Sequence, residues 1–241
     1  MNNTLLKINN LCGGYTKGID ILRGIDMDVR QGEAVGIIGL NGSGKSTLGK
    51  AILNMLPYRS GTVTFEDSDV TTLRTYELSR RGLAIMQQGG RVFRTLSVWD
   101  NLMLAAQADT NSSAEKRAKL REIIPFLHVP RHELQRMMAD KLSGGQQHQL
   151  SLAMTLATGP RLVVLDEPSA GLSPKSVDEM YTILRACREE LGLTIILIEQ
   201  NIARAVDFCD RSLLLQQGVV EETLEDKEKI QTVKELMFNL K

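Results

Sequence analysis

The sequence predicts an α/β protein with a mainly parallel β-sheet, helices on both of its faces and an antiparallel β edge. Short apolar runs alternate along the chain with amphipathic stretches. Several of these runs are continuous rather than alternating, as expected for strands of a parallel sheet that is buried on both faces. The chain has 241 residues, enough for one large α/β domain or two small ones.

The strands are predicted from these apolar runs. The antiparallel edge is expected from the first 30 residues and from residues 61–65, where strand-like segments are separated by turns. The strands of the parallel sheet are expected at residues 34–38, 82–86, 162–165, 194–198 and 212–215.

The clearest helix is predicted over Pro174–Leu191, where apolar residues recur at the spacing of a single helical stripe. Ser173 before Pro174 forms a typical pair of N-cap and first helical residue.

Further helices are predicted from about residue 145 to 158, and from Lys45 to a point before Pro57. Residues 97–141 are more polar and helical in pattern. They are expected to form a helical insert, with a helical subdomain at about 95–158 inside a single domain that spans residues 1–241.

Composition excludes several classes of protein. Lys plus Arg and Asp plus Glu number 29 each, so the formal charge is zero, which argues against a nucleic-acid partner. The three cysteines are scattered, which favours a reduced, cytoplasmic setting in which they are core residues. No apolar run approaches the roughly 20 residues of a membrane span, and the first residues do not resemble a signal peptide.

A phosphate-binding loop is predicted directly after the apolar run at 34–38. Residues 39–46 satisfy G-x-x-x-x-G-K-[ST] and precede a helix, which is the context that the motif requires. Backbone N–H groups of such a loop surround a polyphosphate, Lys45 reaches its β- and γ-phosphates, and the Ser46 hydroxyl binds Mg²⁺. The expected nucleotide-binding residues are Gly39, Asn41, Gly42, Ser43, Gly44, Lys45, Ser46 and Thr47.

Two acids follow the apolar run at 162–165. Ligands of α/β sheets bind at the carboxyl ends of strands, which is where Asp166 and Glu167 are expected. Asp166 is predicted to hold Mg²⁺, mostly through water. Glu167 is predicted to orient or deprotonate an attacking water molecule.

Leu142-Ser143-Gly144-Gly145-Gln146 lies between these two motifs and directly before a helix. With these residues the chain resembles the nucleotide-binding subunit of an ATP-binding cassette (ABC) transporter over nearly its whole length. The resemblance implies an ATPase that binds ATP and Mg²⁺ in a homodimer or heterodimer. Ser143 and Gly145 would then contact the ATP held by the opposing subunit, at a helix N-terminus that favours anions.

The resemblance also implies roles for three single residues. Tyr15 matches the aromatic residue that stacks on adenine, and Gln88 matches a loop glutamine that contacts Mg²⁺ or the attacking water. Gln200 stands where the family usually has a switch histidine; its amide can still donate to a γ-phosphate, but it cannot become a charged imidazolium. The three histidines show no metal-ligand pattern.

The resemblance leaves the transported substrate open. The segment 199–201 and the loop 169–174 look most like the ATPases of branched-chain amino-acid importers, whereas 93–102 also resembles the lipopolysaccharide-export ATPase. The expected setting is the inner face of the cell membrane, reached through integral permease subunits. Two alternatives are a soluble ABC ATPase, such as one of iron–sulfur cluster assembly, and a weakly hydrolytic nucleotide-gated binding module.

Overall fold

A computed structural model describes residues 4–106 and 112–225 of the chain. These residues form two compact units. The first unit comprises the residues up to Leu78 together with those from Thr194 onwards, and the second comprises Ser79–Leu193.

The described strands and helices follow one another in the order that an α/β protein requires. The strands are β1 (Thr4–Gly14), β2 (Leu22–Arg30), β3 (Ala34–Ile38), β4 (Tyr58–Phe65), β5 (Ser68–Asp69), β6 (Leu83–Met86), β7 (Leu162–Asp166), β8 (Thr194–Glu199), β9 (Arg211–Gln216) and β10 (Val219–Leu224). The helices are α1 (Lys45–Ile52), α2 (Thr75–Arg80), α3 (Val98–Ala105), α4 (Ser113–Ile123), α5 (Gly144–Ala157), α6 (Pro174–Leu191) and α7 (Ile202–Phe208).

The first unit contains parallel and antiparallel strands. Strand β3 pairs in parallel with β8 on one side and β9 on the other, and β10 pairs antiparallel with β9. Every residue of β3 and β8 is buried, which explains why β3 and residues 195–198 of β8 are continuous apolar runs. Strands β2, β1, β4 and β5 form a separate antiparallel sheet in that order. The predicted parallel core and antiparallel edge are therefore confirmed.

The second unit combines the parallel pair β6–β7 with most of the helices. Helix α5 contacts β6, α3, α4 and α6, so it lies at the centre of this unit. The stripe predicted on α6 is its buried face, which includes Met180, Leu184 and Cys187.

The structure differs from the sequence-based prediction in several details. Strand β6 begins at Leu83, because Gly82 has a φ of 94°, outside the β region. The insert at 97–141 is only partly helical: after α4 it continues in short 3₁₀ turns, where Pro125 and Pro130 cannot continue an α-helix. Cys12 is half-buried, whereas the other two cysteines are buried as predicted. Within the described residues, no helix is long and apolar enough to cross a membrane.

Candidate functional site

The phosphate-binding loop predicted from the sequence connects β3 to α1 in the first unit. Gly39 directly follows β3, and a side chain there would overlap the carbonyl oxygen of Leu215 in β9. The close approach of the loop to β9 therefore requires glycine at this position. Gly44 is the N-cap of α1 with a φ of 106°, and no side chain caps the helix. The N–H groups of its first turn therefore point toward the loop without a capping side chain.

Lys45 is 5% exposed and folds back over the loop that precedes it. Its Nζ donates hydrogen bonds to the carbonyl oxygens of Gly39 at 2.8 Å and Leu40 at 3.0 Å. The hydroxyl oxygen of Ser43 is buried and makes no hydrogen bond. A buried cation and an orphaned hydroxyl next to an uncapped helix N-terminus fit a bound polyphosphate, which would supply acceptors for all three.

Tyr15 lies in the same unit, and 46% of its surface is exposed. Lys50 of α1 donates from Nζ to the tyrosine hydroxyl at 3.2 Å, and the same Nζ is 5.4 Å from the ring centroid. The ring is therefore anchored at its edge while remaining exposed, which suits a stacking platform for an aromatic base. Sequence reasoning missed the contact with Lys50, because no motif links the two residues.

Gln200 follows the last residue of β8 and is exposed. Ile38 of β3 pairs with Glu199 of β8, so Gly39 and Gln200 leave the sheet at the same edge. Glu199 Oε1 accepts hydrogen bonds from the N–H groups of Gln200 and Asn201, which holds this turn. The structure thus brings the phosphate loop and Gln200 to one end of the first unit.

The two acids lie in the second unit, at the end of β7. Asp166 is the last residue of the strand and is 4% exposed, and Glu167 is 8% exposed. Gln88 donates from Nε2 to Glu167 Oε2 at 2.8 Å. Glu167 adopts a φ of 48°, a left-handed conformation that is uncommon for a residue with a side chain. Such strain is held by the surrounding structure and is found mostly at functional sites.

Ser143 is the N-cap of α5 and forms a capping box with Gln146. The Ser143 hydroxyl accepts from the N–H of Gln146 at 3.3 Å, and Gln146 Oε1 accepts from the N–H of Ser143 at 3.0 Å. Because the Ser143 hydroxyl acts only as an acceptor in this capping box, its proton can still be donated to a ligand. Ser143 and Gly144 are exposed and Gly145 is half-buried, so this helix N-terminus lies on the surface of its unit.

Comparison with known proteins places these features in context. A sequence profile described as "ABC transporter" matches residues 22–170. The lipopolysaccharide export system ATP-binding protein LptB of Escherichia coli K12 is 33% identical over 214 residues, which cover 88% of this chain and 87% of LptB. The probable branched-chain amino acid transport ATP-binding protein LivF of Archaeoglobus fulgidus is 33% identical over 217 residues, 90% of each chain.

Solved structures are similar as well. The crystal structure of the ADP conformation of MJ1267, an ATP-binding cassette of an ABC transporter, superposes with a TM-score of 0.83 at 27% identity. The match covers 95% of this chain and 94% of that one.

Proposed function

Since the chain belongs to the ABC transporter family and is an ATPase of that family, we propose that it powers transport through separate membrane permease subunits. The observation that supports ATP hydrolysis as the source of this power is Glu167, a buried carboxylate fixed by Gln88 at the end of β7. A weakly hydrolytic binding module would not need a general base held in this way.

The first step of the proposed mechanism is nucleotide binding by the first unit. The loop N–H groups, the Ser43 hydroxyl and the Lys45 ammonium would hold the phosphates, with Asn41, Gly42 and Thr47 completing the loop. The adenine would stack on Tyr15. Ser46 of this unit would give Mg²⁺ a hydroxyl oxygen, and the ion would neutralise charge on the β- and γ-phosphates. That the amide oxygen of Gln88 and the carboxylate of Asp166 also bind the ion is proposed from the family resemblance, and both are ligand types that Mg²⁺ prefers.

The second step is hydrolysis. Glu167 would accept a proton from the attacking water as the water oxygen bonds to the γ-phosphorus and the bond to the ADP oxygen breaks. The Gln200 amide would donate a hydrogen bond to the γ-phosphate, where charge accumulates. Because a neutral amide replaces a histidine here, this contact is independent of pH in the physiological range.

The third part of the proposal is dimerisation. Ser143 and Gly145 lie on the surface at the N-terminus of α5 and would donate to the γ-phosphate of an ATP bound by the opposing subunit. Two ATP molecules would then be enclosed in a head-to-tail homodimer or heterodimer. In this scheme residues 95–158 are the helical subdomain of a single ATPase domain.

For the cargo we propose branched-chain amino acids or related small solutes that are taken up into the cell. The ATPase itself would lie at the cytoplasmic face of the cell membrane. The Gln200 position and the loop 169–174 support this choice, and LivF of A. fulgidus is a relative of that description. LptB of E. coli is equally similar and is described as a lipopolysaccharide export protein. Lipopolysaccharide export is therefore the second candidate.

The decisive experiment is purification of the tagged full chain from membranes of its own host, with its partners identified by mass spectrometry. Recovery of permease subunits, together with ATPase activity that Glu167→Gln abolishes, would support the proposal. Recovery with soluble assembly proteins and without a permease would contradict it and favour the iron–sulfur alternative. The identity of the permease would distinguish amino-acid uptake from lipopolysaccharide export.

A further inference from the structure

His148 lies on α5, in the second turn after Ser143, and is only 8% exposed. Its Nδ1 is 2.9 Å from the carbonyl oxygen of Pro168. A carbonyl oxygen can only accept a hydrogen bond, so Nδ1 carries the proton and donates it. This contact joins α5, the helix that Ser143 caps, to the residue that follows Glu167.

The backbone on the other side of this hydrogen bond is strained. Glu167 has a φ of 48°, and its own carbonyl oxygen accepts from the N–H of Ala170 at 3.1 Å. A left-handed residue with a side chain persists only where its neighbours hold it in place. The hydrogen bond from His148 to Pro168 restrains the peptide next to this residue, and Gln88 restrains the Glu167 carboxylate.

The imidazole ring also touches the loop that carries Gln88. Gly90 has a φ of 55°, and a side chain there would overlap the ring of His148. The ring therefore packs directly against the Gly90 backbone, two residues after Gln88. One buried side chain thus contacts both of the loops whose side chains meet in the Gln88–Glu167 hydrogen bond.

We propose that His148 is a positioning residue that fixes Gln88 and Glu167 relative to each other and links both to the α5 helix. The proposal rests on the proposed function, in which Glu167 is the general base. With Nδ1 donating to Pro168 and the ring against Gly90, neither loop can shift without breaking a contact to His148. A change at the exposed N-terminus of α5 is therefore transmitted to the Glu167 carboxylate through one rigid ring.

The test separates the hydrogen bond from the packing. Asn places its amide nitrogen close to the position of Nδ1 and can donate to Pro168, whereas Leu fills similar space without a donor. We expect His148→Leu to increase amide hydrogen exchange in peptides covering 87–91 and 167–171 of the full chain without nucleotide, and His148→Asn to restore most of the protection. His132→Leu is the matched control, because the His132 side chain is 81% exposed.

Steady-state hydrolysis gives the second readout. We expect kcat to fall roughly tenfold in His148→Leu and to recover in His148→Asn, with KM for ATP unchanged, because misplacement of a catalytic group acts on the chemical step. Should His148→Leu fail to fold, His148→Met takes its place as the non-donor variant, since its flexible side chain adapts to the same space and carries no N–H donor. Equal exchange and equal kcat in the donor and non-donor variants would overturn the proposal. A wild-type chain without ATPase activity would refute the proposed function, while the exchange pattern would still decide whether His148 holds the two loops.

Discussion

Gln88 and Glu167 are 79 positions apart in the sequence, and the structure joins them by a hydrogen bond of 2.8 Å from Nε2 to Oε2. The bond aligns the carboxylate of a residue whose backbone is left-handed. In the proposed mechanism this carboxylate accepts a proton from water, which requires a fixed direction, and the contact with Gln88 would provide it.

Glu167→Gln should abolish turnover while ATP binding persists. The amide occupies the same space but cannot accept the proton, and loss of a general base typically costs about 10²–10⁴-fold in rate. Single-turnover hydrolysis and equilibrium nucleotide binding, measured on the same preparation, would show the two effects. Hydrolysis at the wild-type rate would exclude Glu167 as the base.

Gln88→Leu should lower kcat by roughly tenfold, because the carboxylate loses the partner that orients it. The chain offers a matched control in Gln87, the adjacent half-buried glutamine. If Gln87→Leu reduces kcat as much as Gln88→Leu does, the effect comes from the loop and not from the hydrogen bond to Glu167.

Lys45→Ala should weaken ATP binding by at least tenfold, since the buried ammonium is the charge assigned to the β- and γ-phosphates. Titration with a fluorescent ATP analogue measures the change, and thermal unfolding checks that the loop remains folded. Lys7→Ala removes an exposed lysine from β1 and should leave affinity unchanged. Unaltered binding in Lys45→Ala would overturn the assignment of the phosphate loop.

Much of the fold could be predicted because its signals are local. The bounds of β3 and α6 agree with the prediction, since the first is a continuous buried run and the second has a regular stripe with a Ser173–Pro174 start. The phosphate loop follows β3, and Asp166 and Glu167 lie at the carboxyl end of β7, as their motifs predict.

Contacts between distant segments could not be predicted in this way. Nothing in the local sequence around Glu167 specifies its left-handed backbone or its bond to Gln88, because both depend on loops that meet only in the folded chain. His148 has no metal-ligand pattern and was therefore given no role, yet it contacts both loops. Val98 is wholly buried whereas Phe93, five residues earlier, is exposed, since apolar character alone does not show which side chains the fold covers.

Acid should destabilise the first unit through Glu33. Burial raises the pKa of this carboxyl, but hydrogen bonds from Arg211 and from the N–H of Arg30 outweigh it and bring the pKa below the ordinary 4.5. The pKa is thus lower in the folded state, so the stabilisation is present above about pH 4.5 and is lost as the pH falls through the folded pKa. Urea unfolding at pH 7 and pH 4 should show a smaller loss for Glu33→Gln than for wild type. Glu221→Gln, at an exposed position, should behave like wild type.

Ser143→Asp should stop nucleotide-driven dimerisation but leave ATP binding by the single chain intact. Aspartate keeps the N-cap of α5, whose loss would cost about 1 kcal/mol, but places a negative charge where a phosphate is expected. Ser143→Asn keeps the cap without the charge and is the matched control. Light scattering with ATP, in a Glu167→Gln background, measures the dimer. A dimer of undiminished stability in Ser143→Asp would contradict contact in trans.

Phe93 is the residue through which we expect the permease to dock. It is 52% exposed, and Met138 and Leu104 in the same unit are 38% and 42% exposed. The backbone of Phe93 is held in place by the buried side chain of Asn101. The Asn101 side chain accepts a hydrogen bond from the N–H of Phe93 at 2.8 Å and donates one to the Phe93 carbonyl oxygen at 3.0 Å. Met138 pairs with Ser97, four residues after Phe93, through an isolated antiparallel β-bridge between their backbones. An exposed ring on fixed backbone, five residues after Gln88 in the sequence, suits contact with a docking helix of a membrane subunit.

Phe93→Asp should therefore give a folded, ATP-binding chain that no longer copurifies with its permease, because a carboxylate replaces the exposed ring at the contact. Tyr76→Asp changes an aromatic residue of similar exposure, 48%, in α2 and should copurify normally. Pull-down from detergent-solubilised membranes, with nucleotide binding measured on the same samples, separates loss of docking from loss of folding. Normal assembly of Phe93→Asp would show that this surface does not bind the permease. Unfolding of the variant would show that the Phe93 ring contributes to the core of the unit, and the docking assignment would then have to be withdrawn.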